Sequence, residues 1–150
     1  MYDACIRGEI KHRDRAKQII SYARLERMRK ITPTDIDGFI DYNGNAFIYM
    51  DAKLNGKEID FGQKRAFENL IKSHGKAEHP SCAIIFRHNT SVGQDIMAHE
   101  CYVDNYYCNM KWNDMGFNSL EWYSLLNKEI TLLNFLNEIE LYWSASNYKL

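Results

Sequence analysis

The chain has 150 residues, 45% of them hydrophobic and 26% charged, with a formal net charge of −1. That size suits a single core, and the balance of apolar and charged residues excludes an intrinsically disordered chain. No apolar run approaches the roughly 18 to 20 residues of a membrane span, and Met1 is followed by polar and charged residues instead of a secretory leader, so the sequence predicts a soluble cytoplasmic protein with no membrane partner.

The first predicted element is an amphipathic helix from about Ile10 to Met28, with Ala16, Ile19, Ile20 and Ala23 on one face and basic residues between them. Residues 1–30 carry nine basic side chains against four acidic ones, whereas residues 113–150 carry two against five. A basic end of this kind is suited to phosphates. Pro33 stops the helix. Ile36 to Tyr42 and Ala46 to Lys53 then read as two strands joined at Asn43-Gly44, a strong hairpin signal. After the Asn55-Gly56 turn, Gln63, Phe67, Leu70, Ile71 and His74 share one face of a helix ending at Gly75. Cys82 to Phe86 reads as a buried strand and Cys101 to Tyr107 as another. The last third reads as helical, with Tyr123, Leu126, Ile130, Leu133 and Leu136 on one stripe and Leu125, Leu132, Phe135 and Ile139 on a second. Two stripes call either for a homodimer surface, where one small sheet does not cover both, or for a helix buried on both sides. The whole is a mixed α/β (α+β) layer fold in one domain over 1–150, its core at about 5–110 and a helical extension at about 118–143.

Chemistry concentrates on the hairpin. Asp35, Asp37, Asp41 and Asp51 fall within seventeen residues, although carboxylates are depleted in strands and costly to bury. A two-residue loop puts Asp37 and Asp51 on opposite faces; a three-residue loop with a bulge puts Asp37 beside Asp51 and Asp35 beside Lys53. Both registers fit the sequence. In the second, two carboxylates close together call for a cation, and oxygen ligands with one or two acidic groups suit Mg²⁺. Lys53, two residues beyond Asp51, shares its strand face and carries an ammonium that can stabilise charge on a phosphate. Metal-dependent phosphodiester hydrolysis is the reaction these parts suit.

The run TDIDGFIDYNGNAFIYMDAK resembles the signature of the PD-(D/E)XK nuclease superfamily, an acid on one strand followed by Asp/Glu-x-Lys on its hairpin neighbour. Over roughly residues 5–90 the order of elements is similar to that family's αβββαβ core. DYNG followed by DAK resembles RecU-type Holliday-junction resolvases, and the GQKRAF helix resembles the glutamine-bearing helix of the VRR-NUC branch. The resemblance implies a DNA endonuclease using Mg²⁺ or Mn²⁺, structure-selective and acting as a dimer in recombination or repair, of the kind a phage encodes. It implies that Asp51 is a metal ligand with the Ala52 carbonyl beside it, that Lys53 is the catalytic lysine, and that Gln63 orients the lysine or a phosphate. Asp37 is favoured over Asp41 as the first acid, and Glu9, in an Arg-Gly-Glu element, is a further metal ligand. The second acid is Asp where many members carry Glu, and Pro33 is not adjacent to Asp37. A non-catalytic binding factor on the same fold is the alternative.

Other candidates carry plainer roles. His99, Cys101 and Cys108 could ligate zinc, but no Cys-x-x-Cys pair is present and reduced thiols are expected. His88 and His99 suit structural hydrogen bonds and Arg87, following the apolar strand, a phosphate, while Tyr102, Tyr106, Tyr107 and Trp112 suit packing more than base stacking.

Overall fold

The computed structural model describes residues 9–10, 13–16, 18, 21–31, 33–109 and 121–150. Contacts divide the chain into two compact units, Met1–Thr34 and Asp35–Leu150.

In the first unit the predicted helix over Ile10–Met28 does not form as such. Among the described residues there, α1 covers only Arg13–Ala16 and a 3-10 turn covers Met28–Lys30. Arg24 takes a φ of 68°, a left-handed conformation no α-helix continues through. The apolar stripe behind the expectation included two alanines, a small area to bury against many basic side chains, and helices draw most of their stability from packing.

The second unit is a five-stranded mixed sheet between two helices. The strands β1 (Gly38–Asp41), β2 (Phe47–Leu54), β3 (Ser81–His88), β4 (Tyr102–Cys108) and β5 (Trp122–Ser124) lie side by side in sequence order. All pairs are antiparallel except β2 and β3, whose parallel pairing needs the crossover supplied by α2 (Phe61–Lys76). The mixed α/β class expected from the sequence is the one observed. Among the described residues two strands stand ahead of α2, one fewer than in an αβββαβ order, and three follow it before α3 (Leu132–Ala145).

Helices α2 and α3 each begin on a side-chain cap, Asp60 accepting from the Gln63 amide and Thr131 from the Asn134 amide. Helix α2 buries Gln63, Phe67 and Ile71, spaced one turn apart, so that Phe67 and Ile71 pack with Tyr49, Ala83 and Tyr107 on one face of the sheet. On the other face, Leu132, Phe135, Ile139 and Trp143 of α3 pack on Ile48, Ile84, Phe86, Val103 and Tyr106. Strand β3 is buried over Ser81–Phe86, as expected of a strand covered on both faces.

Three expectations are corrected here. The continuous C-terminal helix is instead a strand, a turn and α3: Trp122–Ser124 pairs with β4, and every residue of the second apolar stripe is buried in the core. A three-residue strand is too short to show its own period, and the leucines flanking it fell on helical spacing. Within the first stripe, Leu126 and Leu133 are exposed, while Tyr123, Ile130 and Leu136 pack on the core. Finally, Cys82 and Cys108 are paired as a disulfide across β3 and β4, which removes Cys108 from the zinc set and replaces the reduced thiols expected at these two positions. Among the described residues no helix is long and apolar enough to cross a membrane.

Candidate active site

The hairpin takes the second of the two possible registers. Asn43 and Gly44 both adopt positive φ, at 54° and 79°. The Asn45 amide donates to the Tyr42 carbonyl, while the Tyr42 amide donates to the Ala46 carbonyl, each at 3.0 Å. Asn45 is therefore the extra residue of the loop, and Gly38 pairs with Met50 and Asp41 with Phe47. Continued one position beyond Gly38, this register sets Asp37 against Asp51.

Asp37 ends the pairing with its side chain. Its Oδ2 accepts the Ala52 amide at 2.8 Å, taking the place of a ladder carbonyl where β1 stops. Because the N–H and C=O of one strand residue point to the same side, the Ala52 carbonyl is turned to that same open edge. The Asp51 carboxyl lies within hydrogen-bonding reach of Asp37 and is only 3% exposed. Burial, and then the neighbouring Asp37, push its pKa up to about 6, against the opposing pull of Lys53. Lys53 Nζ stands 3.0 Å from Asp51 Oδ2 as an ion pair, yet that oxygen, fully enclosed, makes no hydrogen bond of acceptable geometry.

Gln63 enters from the first turn of α2. It is 8% exposed; its Nε2 donates to the Asp35 carbonyl at 3.2 Å, while its Oε1 is enclosed without a hydrogen bond. This ties α2 to the segment leading into Asp37, a contact across 28 positions that no local pattern announces. Asp51, Lys53 and Asp37 are thus brought together, with Ala52 and its amide between them and Gln63 holding the approach.

Asp41 has a different task. Its Oδ1 accepts the Gly44 amide at 2.7 Å and closes the turn, four strand residues, or roughly 13 Å, from the level of Asp51. Glu9 is an exposed residue of the first unit. Arg87 is structural: it pairs with Asp104, which is 1% exposed, and donates to the Leu54 carbonyl at 3.0 Å and to the Lys57 carbonyl. That pairing fixes the end of β3 to the turn leaving β2. It was invisible in the sequence because β4 carries a bulge that turns Asp104 inward. The His88 ring accepts the Thr90 amide, and His99 faces Glu100 at 3.6 Å. Tyr106 and Tyr107 are core residues, Tyr102 is exposed, and Trp112 lies outside the described residues.

Among the described residues no group of three or more His, Cys, Asp or Glu side chains forms a metal-ligand set. The two-carboxylate corner still fits a hard divalent cation, because it offers oxygen donors only and includes a buried carboxylate oxygen lacking a hydrogen bond. Compared with family models, with curated proteins and with solved structures, the chain matches none.

Proposed function

We propose that the corner formed by Asp37, Asp51 and Lys53 hydrolyses phosphodiesters in DNA with the help of Mg²⁺ or Mn²⁺, as in the PD-(D/E)XK nucleases that the hairpin resembles. The observation that carries this reading is the enclosed Asp51 carboxylate, set against a second carboxylate and balanced by one lysine. Two carboxylates at this separation gain from a cation, and a fold with no use for one would bury a neutral pair at lower cost.

Asp37 and Asp51 would hold the cation, with the Ala52 carbonyl as a third donor. When bound, it supplies Lewis acidity toward a phosphoryl oxygen. Asp51 would serve in its ionised form, which a pKa of about 6 makes available near neutral pH. Lys53, released from Asp51, presents its ammonium to the phosphate and stabilises the negative charge that grows there during attack by water. Gln63 keeps the Asp35–Asp37 segment in place through the Asp35 carbonyl. The basic side chains of residues 1–30 would meet the DNA backbone without reading sequence. A second copy of the chain, seated on the exposed Leu126 and Leu133, belongs to the same reading.

The test is calorimetric titration of Mn²⁺ and Mg²⁺ into the wild-type protein and Asp51→Asn, followed by incubation of both, and of Lys53→Met, with branched, linear and single-stranded DNA. Metal binding that is lost in Asp51→Asn, with cutting confined to the wild type, is the expected result. A wild-type protein that binds neither ion and shifts DNA intact would replace the nuclease with a non-catalytic DNA-binding factor.

A further inference from the structure

Four aromatic rings line the sheet face that leads to the acidic corner. His74, near the end of α2, stacks on Phe47 at 4.2 Å and 16° and on Tyr49 at 5.8 Å and 18°. Its Nε2 is bonded to the Tyr49 hydroxyl at 2.8 Å. Phe39 of β1 continues the arrangement outward, 6.2 Å and 6° from Phe47 and 5.0 Å and 28° from Tyr49. The inner end is closed by α2 through His74. At the outer end Phe39 is 53% exposed, although the rings beneath it are held in nearly parallel planes.

Phe39 alternates along β1 with Asp37, so both project from the same face, two residues or roughly 7 Å apart. Tyr49 and Asp51 repeat that relation on β2. The ring platform and the acidic corner therefore form one continuous surface. A planar ligand group that prolongs the ring stack reaches the corner through a short linker, and in a nucleic acid a base is joined to its phosphate in this way. We propose that Phe39 stacks an unpaired base of single-stranded DNA whose backbone passes over Asp37 and Asp51; this rests on the phosphodiester reading of that pair. Bases inside a duplex have both faces occupied, so the platform selects frayed ends, flaps and junction centres over intact duplex. Selectivity for DNA structure then has a physical source in one side chain.

The experiment is anisotropy titration of an end-labelled single-stranded oligodeoxynucleotide in buffer containing EDTA, where no cutting occurs. Wild type is compared with Phe39→Ala and Phe39→Trp, and an abasic backbone of equal length serves as a second probe. Phe39→Ala is expected to weaken binding of the base-bearing strand about tenfold, while Phe39→Trp retains it and all three proteins bind the abasic strand alike. Equal affinity of wild type and Phe39→Ala for the base-bearing strand overturns the proposal. So does a wild-type protein that binds no oligonucleotide, or a Phe39→Ala variant that changes only the oligomeric state in solution. Because hydrolysis plays no part in the readout, base stacking through Phe39 in a protein that cuts no DNA with Mg²⁺ or Mn²⁺ supports the platform while removing the nuclease reading. Cutting by a protein indifferent to Phe39 does the reverse.

Discussion

Asp51 places a carboxylate where charge is costly, and the sign of that cost fixes its pH dependence. Its folded-state pKa, about 6, lies above the ordinary value of 3.8, so the folded chain binds this proton more tightly than the unfolded chain. The resulting stabilisation is complete below about pH 4 and is lost as pH rises through 6. Asn at this position does not titrate. Without metal, thermal unfolding should show Asp51→Asn gaining on the wild type between about pH 4 and 7, by on the order of 2 kcal/mol, while metal binding by the wild type strengthens over the same interval. A stability difference that is flat with pH would mean that Asp51 is ionised throughout. The acids were legible in the sequence as residue types, and the choice between Asp37 and Asp41 turned on one residue. Asn43-Gly44 suits either loop length, but only with Asn45 as the extra residue do Ile40 and Ile48 face α3 while Phe39 and Tyr49 face the opposite side. Buried neighbours, not turn chemistry, made that choice.

At the level of elements, α2 followed its helical period and β3 its continuous apolar run, because each is long enough to show a pattern. The C-terminal third did not, since β5 is three residues long and its pairing partner β4 lies before it across residues outside those described. Helix α3 still carries much of one core. Phe135 has no exposed surface and meets Tyr106 ring to ring at 5.0 Å. Phe135→Ala is expected to cost about 3–5 kcal/mol, and Thr131→Ala, which removes the α3 cap, about 1 kcal/mol. Urea unfolding measures both; a Phe135→Ala loss as small as that of the cap would show that α3 is not tightly seated on the sheet. The same helix fixes β1 from behind, through the Tyr42 hydroxyl donating to Glu140 at 2.7 Å and the Tyr42 ring against Trp143.

For the molecule as a whole, both apolar cores belong to Asp35–Leu150, while much of the basic charge belongs to Met1–Thr34. A chain starting at Asp35 should therefore fold and bind metal as the full chain does. Its affinity for DNA should fall, and the dependence of that affinity on salt should become shallower, because fewer phosphate contacts release fewer counterions. Titrations at several salt concentrations decide this, and identical slopes for the two chains would remove residues 1–34 from the DNA interface. The Ala52 amide offers a direct view of the site itself. It is bonded to a carboxylate and not to a neighbouring strand, so its hydrogen-exchange rate follows the position of one side chain. If Asp37 turns to a cation, Ala52 should exchange faster as Mg²⁺ is added while amides deep in β3 keep their protection. A single backbone proton would then count how often the site is engaged, with no substrate present.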